Sequence, residues 1–164
     1  MSQSFSQFKG VVFDLEVIPS DDDQPPRIIM LGALCPDSGA ELELKVFGDP
    51  VPALQKLDRL SEDASFVLGH NIIEHDLPIL RKTYPSLSLH SLPAIDTLRL
   101  SPLAFPQNPY HRLVKDYKLI RDSLNSPLSD CRSTWTLFND QRQAFTQLNT
   151  VSREELLCYQ TLLA

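Results

Sequence analysis

Cysteine is scarce in this chain: three in 164 residues, at positions 35, 131 and 158, with no CxxC pair. An odd, scattered set excludes a disulfide framework and a thiolate zinc site, and it fits a reducing compartment. Cys131 follows an acid, but a small core residue is the simpler reading than a nucleophile. Long apolar runs are also missing. No segment approaches the ~20 apolar residues that a membrane-spanning helix needs, and MSQSFSQFKG holds no apolar stretch fit for a signal peptide. The expectation is a cytoplasmic protein with no membrane partner. Positive charge is short as well, with 15 Lys and Arg against 21 Asp and Glu, a net charge of −6. That weighs against broad, unassisted binding to a nucleic-acid backbone. It leaves room for a nucleic-acid enzyme whose acids are covered by bound cations. Internal repeats, low-complexity tracts and heptad arrays are all absent.

What remains is an ordinary globular composition, 42% hydrophobic and 22% charged, in a chain long enough for one well-buried domain. FKGVVFDLEVI (8–18) reads as a strand of β-formers bounded by Gly10 and Pro19. RIIMLGALC (27–35) reads as a buried strand, and ELELKVF (41–47) alternates like an edge or half-exposed one. VPALQKLDRL (51–60) has helical spacing, FVLG (66–69) is a short buried strand, and HDLPILRKTY (75–84) a helix with Pro78 in its first turn. LPAIDTLRL (92–100) reads as a fifth strand running into a turn, and SPLAFPQNP (101–109) as irregular. From His111 onward the patterns are helical: HRLVKDYKLI, PLSDCRSTWTLFNDQRQAFTQL and SREELLCYQTLL. A three-stranded meander followed by parallel βα units predicts a mixed five-stranded sheet flanked by helices, the layout of ribonuclease H-like folds, although other α/β sandwiches fit the pattern too.

Acids sit at informative places in that order. Asp14 and Glu16 interrupt an apolar strand two residues apart, so both project from the same face. On an edge strand that face would simply be wet. On a central strand two like charges are costly unless a cation offsets them. Asp76 opens the helix after FVLG, where the helix dipole alone would favour an acid. Asp130 lies beside the stripe formed by Leu128, Cys131, Trp135 and Phe138, and an exposed helix acid is its simplest reading. Together the four could enclose two divalent ions, because Mg²⁺ and Mn²⁺ prefer oxygen ligands. Two such ions serve phosphodiester cleavage by activating water and stabilising the leaving oxygen.

Those segments resemble the DEDD superfamily of 3′–5′ exonucleases. FDLE (13–16) is similar to the first motif, and GHNIIEHDLPIL (69–80) to the second, in the form found in proofreading domains of family B DNA polymerases. IDTLRLSPLAFP and YHRLVKDYKL are similar to the connecting segment, and NSPLSDCRST to the third motif, so the resemblance runs from about residue 8 to 140. It implies a ribonuclease H-like fold and two Mg²⁺ or Mn²⁺ ions held by Asp14, Glu16, Asp76 and Asp130. It also implies substrate contacts from Asn71, Leu15, His75 and Asn125, and a single-stranded DNA or RNA 3′ end as partner. His70 and His75 need not be ligands, since imidazole suits zinc better than magnesium.

The resemblance lapses at two places. Family members carry a general base before the last aspartate, a histidine five residues earlier or a tyrosine four earlier; here Asn125 and Ser126 stand there. Neither takes a proton from water near neutral pH. The threonine that often follows the first-motif glutamate is Val17. Three outcomes stay open: slower cleavage without a protein base, replacement by His111 or His75, or a binding module that does not cleave. Phe105, Tyr110, Tyr117 and Trp135 are candidates for stacking on bases, against a core role. Arg81, Lys82, Arg112, Lys115, Lys118 and Arg121 are candidates for phosphate contacts, against a solvated helix face. The chain ends inside an apparent helix, REELLCYQTLLA, which suggests one domain of a longer protein, such as one carrying a helicase or polymerase.

Overall fold

The structure is a computed structural model, and it describes residues 9–20, 25–107 and 126–147. Five strands, β1 (Gly10–Ile18), β2 (Arg27–Cys35), β3 (Ala40–Lys45), β4 (Phe66–Gly69) and β5 (Ala94–Asp96), form one sheet in the order β3-β2-β1-β4-β5. The β1–β2 and β2–β3 pairs are antiparallel, whereas β1–β4 and β4–β5 are parallel. This is a mixed α/β sheet in a ribonuclease H-like arrangement. Its central strand is β1, so Asp14 and Glu16 do not lie on a wet edge; that part of the sheet is occupied by β3.

Alternation along β1 divides the molecule into layers. Val11, Phe13 and Leu15 enter the main core. There they meet Leu54 and Leu57 of α1 (Val51–Leu60) and Leu77 and Leu80 of α2 (Asp76–Thr83). Val12 faces the other way, into a smaller core with Leu34, Phe66, Leu68 and Cys131. The long helix α4 (Pro127–Gln147) covers that face with Leu128, Trp135 and Phe138 packed against it. Trp135 and Phe138 are tilted against each other with ring centroids 5.8 Å apart, so Trp135 belongs to the packing and not to an open stacking surface.

One element differs from the sequence pattern. The fifth strand is only three residues long, and Thr97–Ala104 is a helix, α3, that takes in the start of the proline-rich stretch. The reason is Asp96, whose carboxylate accepts the Leu98 N–H at 2.9 Å and caps the helix immediately after the strand. Among the described residues no helix is long and apolar enough to cross a membrane. Tyr110, His111, Arg112, Lys115, Tyr117, Lys118, Arg121, Asn125 and Cys158 lie outside the described residues.

Candidate metal centre

The even-numbered face of β1 carries Asp14 and Glu16 toward α4, and α4 brings Asp130 down to them. One oxygen from each of these three carboxylates lies within 4.8 Å of the others, and all three side chains are half-buried. Two features of the sequence produce the approach. The first is Gly32 on β2, directly opposite Asp14 in the antiparallel register. A β-carbon at Gly32 would stand 2.3 Å from the Leu128 nitrogen and the Pro127 carbonyl carbon, so only glycine lets the start of α4 touch the sheet. The Cys131 thiol, 3.4 Å from the Gly32 carbonyl oxygen, marks the same contact. Burial pushes this thiol well above the usual range, which suits a core residue and not a nucleophile.

The second feature is Ser126, which precedes α4. Its hydroxyl oxygen accepts the Ser129 N–H at 3.1 Å and its O–H donates to Glu43 at 2.6 Å. Ser126 therefore caps the helix that carries Asp130 and ties it to β3. A bidentate ion pair between Arg132 of α4 and Glu41 of β3 reinforces the same seam.

Asp76 stands beside the three-carboxylate group but is not part of it. The β1–β4 ladder ends at Val12 and Leu68. The Asp76 carboxylate then accepts the Leu15 N–H at 3.0 Å, three residues further along β1. The Leu15 side chain is buried in the main core, so its contribution to the site is this backbone donor. Asp76 is 2% exposed, and its second oxygen lies 3.5 Å from His75 Nδ1. Burial raises its pKa despite the opposing His75 contact. The His75 pKa is raised in turn by its bond to Asp76.

Among the four acids, Asp14 is the one whose pKa is pushed far up, to about 8. Burial is the largest cause, followed by the charges of Asp76, Asp130 and Glu16, with His75 opposing them. A carboxyl group that resists ionisation among other carboxylates is what a divalent cation would relieve. Three hard oxygen donors from two elements are also a donor set that Mg²⁺ or Mn²⁺ accepts.

The turn between β4 and α2 is organised by a residue the motif reading passes over. Asp96, 3% exposed, accepts the Asn71 N–H at 2.9 Å, the Ile73 N–H at 3.2 Å and the Leu98 N–H at 2.9 Å. It thereby fixes the turn that delivers Asp76. Asn71 adopts a left-handed φ of 64°, a conformation asparagine tolerates better than most residues. Its backbone is committed to Asp96, while its side-chain amide makes no hydrogen bond among the described residues. His70 Nδ1 lies 2.9 Å from the Thr97 hydroxyl, and burial lowers its pKa, so it braces the turn as a neutral ring. An acid at a strand end directly before a threonine and an apolar run is the sequence signal for such a cap.

No family model matches the sequence, and no curated protein matches it. Among solved structures, the chain is similar to the family B DNA polymerase from the hyperthermophilic archaeon Pyrobaculum calidifontis, with a TM-score of 0.54 and 19% identity. The match covers 80% of this chain and 24% of that one, so the chain corresponds in fold to about a quarter of the polymerase.

Proposed function

We propose that the domain is a metal-dependent 3′–5′ exonuclease acting on single-stranded DNA, with RNA as the second substrate class. The observation that carries this reading is the meeting of Asp14, Glu16 and Asp130 within 4.8 Å on the central strand, just beyond the end of its parallel pairing with β4. Ligands of open α/β sheets gather at that end. A fold shared with part of a DNA polymerase agrees with a nucleic-acid substrate.

Asp14, Glu16 and Asp130 would hold one cation, and Asp76, adjacent to Asp14, would complete the set for a second, either Mg²⁺ or Mn²⁺. Bound there, the ions supply water activation and stabilisation of the leaving oxygen. Within the chain, the Leu15 N–H and His75 hold Asp76 in place. The amide of Asn71, without a hydrogen bond among the described residues, and the half-exposed His75 are groups available to the terminal nucleotide. Asn125, a further substrate contact on the motif resemblance, lies outside the described residues.

A second reading, a binding module that guides a fused helicase or polymerase domain to strand ends, is favoured by one observation. Ser126, at the place where a tyrosine base stands in related motifs, is committed to capping α4. General-base help contributes roughly 10²–10⁴-fold to rate, so its loss leaves a slow enzyme or none. Degradation of a 5′-labelled single strand with Mn²⁺, Mg²⁺ or EDTA, beside Asp14→Ala/Glu16→Ala, separates the two. A metal-dependent ladder absent from the variant supports the exonuclease. Strand binding without cleavage at high enzyme concentration supports the module.

A further inference from the structure

Next to the acidic cluster, the same face of the sheet continues past the start of α4 into a strip of different chemistry. The register sets it out in rows. Asp14, Gly32 and Glu43 form one row, and Glu16, Met30 and Lys45 the next. Beyond Glu16 a bulge skips Ile29, and Ile18 then pairs with Arg27. Along β3 and its continuation, Leu42, Leu44 and Val46 turn toward the main core, so Lys45 and Phe47 belong to the opposite, cluster-bearing face.

This strip is unusual in two respects. Phe47 is 87% exposed, and the only other large hydrophobic side chain so exposed among the described residues is Ile18, at 42% on the same end of the sheet. Arg27 and Lys45 are both exposed and make no ion pair among the described residues. Lys45 thus lies two strand spacings, about 10 Å, from Glu16, Arg27 lies one spacing from β1, and Phe47 follows two residues after Lys45. In a chain of net charge −6, two cations with no ion pair among the described residues are groups that a polyanion can engage.

We infer that the strip of Phe47, Lys45, Arg27 and Ile18 is the path of single-stranded nucleic acid leading from the acidic cluster, with a base stacked on Phe47 and phosphates beside Lys45 and Arg27. The inference rests on the exonuclease reading for its direction, since the strand end is placed at Asp14 and Glu16. Its chemistry follows from general single-strand recognition, which combines aromatic faces for bases with cations along the backbone. Base–aromatic stacking is sequence-tolerant, so the strip selects single strands over duplexes rather than one sequence over another.

The test is anisotropy of a labelled oligothymidylate, titrated with the whole chain in Ca²⁺ at several salt concentrations. Phe47→Ala is expected to weaken binding about 10-fold, and Phe47→Trp to retain it. Arg27→Glu/Lys45→Glu is expected to weaken it further and to flatten the salt dependence, by a slope of about 0.7 per contact removed. Manganese uptake, followed by calorimetry, should be unchanged in every strip variant. Binding by Phe47→Ala equal to that of the original chain, or no single-strand binding by the original chain, overturns the inference. So does loss of self-association in Phe47→Ala with strand binding intact, which would assign the patch to a protein contact. The two readings fail separately. Absence of manganese binding and of cleavage with strip-dependent strand binding removes the nuclease alone, whereas Asp14-dependent cleavage indifferent to Phe47 removes the strip alone.

Discussion

Two acids of one sheet, Asp96 at the end of β5 and Asp14 midway along β1, are treated in opposite ways. Asp96 is 3% exposed and its carboxylate receives three backbone N–H groups, from Asn71, Ile73 and Leu98. Asp14 receives no hydrogen bond among the described residues and faces Asp76, Asp130 and Glu16, which with burial push its pKa up to about 8. A carboxylate that folding supplies with donors is part of the scaffold. One that folding surrounds with like charge is held in readiness for something the chain does not itself contain. The comparison separates a structural acid from a functional one without reference to motifs.

The sharpest way to break the comparison is to remove each acid. Asp96→Ala should destabilise the protein by roughly 4 kcal/mol in urea titration, because three N–H groups lose their acceptor at about 1–3 kcal/mol for each one left buried. The same change should unfix the turn carrying Asp76, so metal binding falls along with stability. If Asp96→Ala costs less than about 1 kcal/mol, the structural assignment of this acid is wrong. Next in size is Gly32→Ala, whose β-carbon would press on the backbone of Pro127 and Leu128. Overpacking of this kind costs about 1–3 kcal/mol. Since the displaced element carries Asp130, manganese affinity should drop more than stability alone explains.

Asp14 should respond with the opposite sign. Its carboxyl group has an ordinary pKa of 3.8, against about 8 in the fold, so the folded state keeps the proton longer than the unfolded chain does. The stability this contributes is complete below about pH 4 and is lost as pH rises through 8. Metal-free Asp14→Asn should therefore be more stable than the original chain at pH 8, by on the order of 1–2 kcal/mol, with the difference vanishing near pH 4. Saturating Mn²⁺ should reverse the ranking, because only the carboxylate is a ligand. Thermal melts of both proteins at several pH values, with and without the ion, test all of these outcomes. Equal stability at every pH would mean that Asp14 is no more strained than an ordinary acid.

How much of this was legible beforehand depended on the range of the interaction involved. β2, α1 and β4 follow from local alternation and helical spacing, and their limits agree with the pattern residue for residue. The common face of Asp14 and Glu16 follows from strand geometry, but whether that face is an edge or a centre is decided by pairing with β4, over 50 residues away. Residues 97–100 read as the end of a strand, and 101–104 as irregular, because Leu98, Leu100 and the β-formers before them outweigh a single capping acid, whereas Thr97–Ala104 is helical. Asp96 looked like part of the motif connection, since its role depends on N–H groups at 71 and 73 that only the folded turn brings to it. Gly32 likewise gave no signal: its importance is a 2.3 Å clearance to a helix nearly 100 residues further on. Ser126 stood out only as a missing base, and its actual work as a cap appears once Glu43 and Ser129 are beside it.

The smallest effect sharpens the comparison at its middle case, Asp76, which has the Leu15 N–H, its own backbone N–H and one imidazole. The contact to His75 is 3.5 Å, with the histidine side chain 45% exposed, so solvent screening keeps its worth low. Its pKa is raised from 6.5 chiefly by the bond to Asp76. A histidine whose folded pKa is raised contributes stability fully below its ordinary value and loses it as pH rises through the folded one. His75→Ala should accordingly cost about 0.5 kcal/mol near pH 5 and nothing near pH 9 in the metal-free protein. Denaturant midpoints across that range measure it directly. A cost that persists at pH 9 would show that the ring acts by packing on the turn, leaving backbone N–H groups, Leu15's foremost, to hold Asp76 in place.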